Sequence, residues 1–100
     1  MAKGYWIVRL DVTDQVKYDA YRAVNGAAFK KYGARFLVRG GPFEKKLGTA
    51  RQHNVVLEFP SYEDAVACYE SPEYAEAIAA RDDGAELDLV IVGGYDGPQP

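Results

Sequence analysis

Apolar and polar residues alternate at the start of the chain, where Trp6, Val8, Leu10 and Val12 interleave with Tyr5, Ile7, Arg9 and Asp11. A two-residue period sends the two sets to opposite faces of a sheet, so residues 5–11 read as a strand with one more polar face. The period then changes. Tyr18, Tyr21, Asn25, Ala28, Phe29 and Tyr32 fall on one helical face, with Lys17, Asp19, Arg22 and Lys30 pointing mostly elsewhere. Asp14 is placed to accept the free N–H groups of the first turn, and Gly33 to stop the helix in a left-handed conformation. A helix over 14–32 follows, then a strand over 35–39.

The same order recurs. Residues 54–59 form a strand, 61–81 a helix and 88–92 a last strand. Ser61 with Asp64 resembles a capping box, and this helix is expected to bury Tyr62, Ala65, Val66 and Tyr69. Pro72 interrupts it; because Ser71 can cap and proline is tolerated at the first helical position, the helix restarts there with a bend. Residues 40–53 are a long hairpin connection whose glycines and charges place it on the surface. The βαββαβ order predicts an α+β fold, a four-stranded antiparallel sheet with both helices on one face. The other face keeps Ile7, Leu37 and Val56. An exposed apolar sheet face marks an interface, so a homodimer through the open sheet faces is expected.

One hundred residues make a single domain over 1–100 without a linker. The tail, 93–100, lacks periodicity; it is either loose or held across the dimer interface by Tyr95. The longest apolar run, 87–92, is broken by Asp88 and is far below the roughly 20 residues of a membrane span. No apolar leader precedes the first strand, which points to a cytoplasmic protein. Cys68 is the single cysteine, read as an inert, partly buried thiol. The net charge is −3 and basic residues are scattered, apart from the pairs Lys30-Lys31 and Lys45-Lys46. That argues against nucleic acid, which needs a concentrated basic face, and Arg39-Gly40-Gly41-Pro42-Phe43 only faintly echoes an RNA-binding strand. No His, Cys and carboxylate cluster has metal-ligand spacing, so neither metal nor cofactor is expected.

Several stretches taken together resemble a bacterial family of small uncharacterised proteins. They are Lys3-Gly4-Tyr5-Trp6-Ile7, Asp11-Val12-Thr13-Asp14, the run Lys31-Tyr32-Gly33-Ala34-Arg35-Phe36-Leu37-Val38-Arg39-Gly40-Gly41, Asn54-Val55-Val56-Leu57-Glu58-Phe59-Pro60-Ser61, Ser71-Pro72-Glu73-Tyr74 and Gly94-Tyr95-Asp96-Gly97. The family is the domain-of-unknown-function family numbered 1330, within the dimeric α/β-barrel superfamily. The resemblance covers essentially the whole chain and implies a ferredoxin-like sandwich paired sheet to sheet as a dimeric α/β barrel. It implies no reaction. Where family members often carry proline after the first N-cap, this chain has Gln15, which costs some helix pre-organisation.

Five residues are candidates for chemistry. Asn25 is a polar residue on the inward stripe of the first helix, and a buried amide must find partners or lose roughly 1–3 kcal/mol. It either ties down nearby backbone or lines a wet pocket. Related barrels that act as cofactor-independent monooxygenases place an asparagine, a tryptophan and tyrosines around a phenolic substrate, which brings in Trp6 and Tyr21; Trp6 as plain core is the competing reading. Arg39 precedes Gly40-Gly41, where a ligand could approach, and its guanidinium can fork onto a carboxylate or enolate. An ion pair with Glu58 is the alternative, and Arg9 with Asp11 could join Arg39 and Glu58 in one cluster. His53, the sole histidine, could act as a general base. The eight tyrosines describe either a polar-rimmed aromatic pocket or a core whose phenols reach the surface. The function expected is binding, with transformation open, of a small aromatic or carboxylate-bearing metabolite in a sheet–helix cleft. Arg39 would recognise the anion, Asn25 would hydrogen bond, Trp6 and Tyr21 would form walls, and His53 would be the base. A non-enzymatic structural or regulatory dimer is the first alternative, and a cofactor-independent monooxygenase-like enzyme the second. A concave cavity shared by Asn25 and Arg39 favours binding, and a packed interior with Arg39 paired to Glu58 favours the other reading.

Overall fold

The alternation in the first strand, β1 (Gly4–Val12), sorts its side chains as the period requires: Trp6, Val8 and Leu10 are buried, whereas Ile7 is 42% exposed on the reverse face. The computed structural model describes residues 2–100. After β1 come α1 (Gln15–Lys31), β2 (Arg35–Arg39), β3 (His53–Phe59), α2 (Tyr62–Tyr69), α3 (Pro72–Arg81) and β4 (Ala85–Gly93). The four strands form one antiparallel sheet in the order β2-β3-β1-β4. This is the ferredoxin-like α+β arrangement.

One residue shows that every helix lies on the same face. The Trp6 ring packs at 5.5 Å from Phe29 of α1, 5.7 Å from Tyr69 of α2 and 4.9 Å from Tyr74 of α3. Its Nε1–H donates to the Ala65 carbonyl of α2 at 2.9 Å, so the indole is buried without leaving its donor unpaired. Phe59 and Leu57 from β3 complete the layer beneath it.

Caps set the helix limits. The Asp14 carboxylate accepts the Val16 and Lys17 N–H groups. At the other end Gly33 has φ +72, its N–H reaching the Lys30 carbonyl and the next, Ala34, that of Phe29, which closes α1 in a Schellman turn. The helix expected over 61–81 is two helices. Ser71 Oγ donates to the Cys68 carbonyl and accepts the Tyr74 N–H, so one hydroxyl closes α2 and opens α3, with Pro72 at the first helical position.

Two expectations are corrected. Tyr62 and Tyr69 are 46% and 40% exposed, and α2 instead buries Ala65 and Cys68. The start of α2 crosses Gly4 so closely that a Cβ there would run into the Ser61 carbonyl and lie 2.6 Å from the Tyr62 Cα. β4 also begins three residues before position 88, because β1 keeps its pairing down to Val12 opposite Ala85. The residues after β4 turn back on themselves, with Tyr95 exposed and its hydroxyl donating to the Pro98 carbonyl at 2.8 Å.

Two glycine substitutions separate these roles. Gly4→Ala should lower unfolding free energy by about 1–3 kcal/mol, since the neighbour in the way is backbone. Gly26→Ala, where nothing lies within 4 Å of the added methyl, should raise it by about 0.5–1 kcal/mol. Urea titration of both variants measures the difference, and equal effects would contradict the close crossing.

Candidate functional site

A cavity of about 320 Å³ lies between the sheet and the α1–α3 pair. Its floor is the inward set of three strands: Trp6, Val8 and Leu10 of β1, Val55 and Leu57 of β3, and Leu87 and Leu89 of β4. Tyr18, Tyr21, Asn25 and Phe29 of α1 wall one side, and Tyr74 and Arg81 of α3 the end. The rim carries Arg22, Arg39, Gly40 and His53.

The five sequence candidates, Trp6, Tyr21, Asn25, Arg39 and His53, all line this one cavity. Asn25 is 7% exposed and belongs to the cavity lining. Tyr21 and Tyr74 join hydroxyls at 2.7 Å, and the Arg81 guanidinium lies 4.9 Å from the Tyr21 ring centre. His53 is exposed at the first position of β3, beside Gly40, whose φ of +69 turns the chain away from β2.

Arg39 reaches the cavity through a β-bulge. Phe36 pairs with Leu57, but the next pairs are Val38 with Val56 and Arg39 with Val55, leaving Leu37 as one extra residue. Each added residue exchanges the two faces of everything beyond it. Without the bulge Arg39 would stand on the open face. With it, Arg39 shares the helix side with Phe36, its guanidinium 4.1 Å from that ring centre.

The expected cluster of Arg9, Asp11, Arg39 and Glu58 does not form, and for the same reason. Glu58 takes Arg35 at 3.3 Å and the Tyr5 hydroxyl at 3.3 Å on the open face. Arg9 and Asp11 belong to a separate network on that face, where Arg51 reaches Asp11 at 2.8 Å and Asp88 at 2.9 Å, and Arg9 reaches Asp88 at 3.4 Å. The Gln52 N–H also donates to Asp11, so the end of the long loop is tied across the polar end of the sheet.

Sequence reasoning did not single out Tyr74, Arg22 or Arg81 as site residues. Tyr74 stands three residues after a helix cap and Arg81 in the last turn of α3, positions with ordinary structural explanations. Burial, then the neighbouring Tyr21, pushes the Tyr74 phenol far above its ordinary value, so this hydroxyl stays protonated. Burial also raises Tyr18, against the lowering effect of Arg22, Arg39 and Arg81. The Cys68 thiol, buried under α2, is pushed up to about 12 and is no nucleophile. Among the described residues no three His, Cys, Asp or Glu side chains gather as metal ligands, and no helix is long and apolar enough to cross a membrane.

With this geometry in place, the sequence over residues 3–95 matches the family described as Domain of unknown function (DUF1330). The chain belongs to that family. No curated protein matches it. Among solved structures, a protein of unknown function from Rhodopseudomonas palustris, RPA0582, superposes with a TM-score of 0.74 at 19% identity, covering 99% of this chain and 85% of that one. SnoaB, a cofactor-independent oxygenase from Streptomyces nogalater, gives 0.61 at 11% identity, covering 100% and 97%. At these identities the likeness of this DUF1330 chain to both is one of fold.

The buried phenols give a pH prediction. Their folded pKa lies above the unfolded value near 10.0, so their contribution to stability is complete below pH 10 and is lost as pH rises beyond it. Absorbance at 295 nm should rise in two steps, the exposed tyrosines first and Tyr74 only on unfolding. Tyr74→Phe should flatten the alkaline loss of thermal stability. A single step near pH 10 with the fold intact would contradict the burial.

Proposed function

We propose that this protein binds a small aromatic or carboxylate-bearing metabolite in the cavity between the sheet and α1 and α3. The observation that carries the reading is Arg39, which the bulge turns away from Glu58 and over Phe36, in the lining of the same cavity as the buried Asn25. Arg39 recognises an anionic group, Asn25 hydrogen bonds a polar substituent, and Trp6 and Tyr21 wall the ring. His53 at the rim is the group available to move a proton if the ligand is transformed.

An Arg39–Glu58 pair would have favoured a purely structural dimer, and Glu58 is instead held by Arg35 and Tyr5. Dimerisation and binding are nonetheless compatible, because they use opposite faces of the sheet. Ile7, Val38, Val90 and Val92 form an exposed apolar band on the face away from the helices. We propose that a second copy covers it.

Two measurements test these readings. In a thermal-shift screen of aromatic and carboxylate metabolites, at least one compound should raise the wild-type Tm, on the order of 10 °C at a hundredfold excess over Kd. The shift should vanish in Asn25→Phe, which fills the cavity, and shrink in Arg39→Ala. No shift with any compound, or equal shifts in all three proteins, would overturn binding. Light scattering should give about twice the 11.1 kDa chain mass and revert to one chain in Val90→Lys; a monomeric wild type would overturn the dimer.

A further inference from the structure

The arginines divide by face. The chain has six, and Arg9, Arg35 and Arg51 each lie within 4.0 Å of a carboxylate on the open side of the sheet. Arg22, Arg39 and Arg81 have no such partner among the described residues, and these three are the arginines that line the cavity. They arrive from α1, β2 and the last turn of α3, so no local run of sequence brings them together. The lining includes no aspartate or glutamate, although acids outnumber bases fifteen to twelve in the chain.

Three guanidiniums without a carboxylate partner line one opening, and a ligand with a single negative charge can neutralise only one of them. The rings beneath them set a second requirement. The Arg39 guanidinium lies 4.1 Å from the Phe36 ring centre and that of Arg81 4.9 Å from the Tyr21 ring centre, so cationic and aromatic groups sit side by side in the lining. Trp6, Phe29, Tyr18 and Tyr74 offer the remaining walls a flat apolar body.

Resting on the binding function proposed above, we infer that the cavity selects a dianion carried on a single aromatic ring, of the benzenedicarboxylate or aryl phosphate kind, over neutral or singly charged aromatics of the same size. The two anion chemistries share bidentate recognition by arginine. Phthalate, isophthalate and terephthalate stand for the first and phenyl phosphate for the second.

Isothermal titration of the full chain at low salt compares these four with benzoate, benzamide and succinate. At least one aromatic dianion should bind about tenfold or more tighter than benzoate, and succinate should bind more weakly than that dianion. Arg22→Gln and Arg39→Gln remove no ion pair of the fold, and each should lower dianion affinity several-fold and benzamide affinity by much less. The double variant should erase the preference, and added salt should weaken dianion binding in the wild type most. Saturable benzoate or benzamide binding that Asn25→Phe abolishes, with no dianion preference, would overturn this inference and leave metabolite binding standing. A dianion preference that survives the double variant would overturn the assignment to these arginines. Failure of all seven probes would remove this inference; the broader screen would then decide whether the binding reading falls as well.

Discussion

The Trp6 indole is the contact on which the rest of the structure depends. It is 1% exposed, touches a ring from each of the three helices, and gives its one donor to the Ala65 carbonyl. A ring of this size buried against a sheet stabilises by several kcal/mol and, through its donor, also fixes the orientation of α2. The same ring is part of the cavity floor. Folding core and candidate site are therefore one surface, divided only by whether a helix side chain fills the space above it.

A sheet with helices on one face must solve two problems at once, and here charge is distributed between them. On the open face the cations meet carboxylates, and the long loop returns to tie Arg51 and Gln52 over Asp11 and Asp88. On the helix face the Arg39 and Arg81 guanidiniums lie against rings instead. The bulge at Leu37 decides to which population Arg39 belongs. One residue of register thus changes the character of the cavity rim without altering any residue type.

Most of the fold was legible because local signals agreed. The period of two in β1, the face from Tyr18 to Tyr32, the caps Asp14, Ser61 and Ser71 and the stop at Gly33 each specify the same element the structure contains. Two things were hidden. Phe36-Leu37-Val38 is apolar throughout, so its pattern cannot reveal an extra residue, and the side taken by Arg39 was unreadable. The exposure of Tyr62 and Tyr69 was hidden too, because how a short helix is rolled against the sheet is a tertiary matter and not a periodicity. Within the site, Trp6, Tyr21 and Asn25 were found by standing on inward stripes. Arg22 and Arg81 carry no such mark, and only the assembled cavity brings them beside Arg39.

The central claim is that a buried, hydrogen-bonded Trp6 organises one helical face of the sheet. With a single tryptophan, the indole N–H gives one isolated NMR resonance, and its hydrogen exchange reports that contact directly. Exchange should occur only through global unfolding, with a protection free energy equal to that from denaturant titration. Exchange at rates close to those of an exposed indole, in a protein that is otherwise folded, would contradict it.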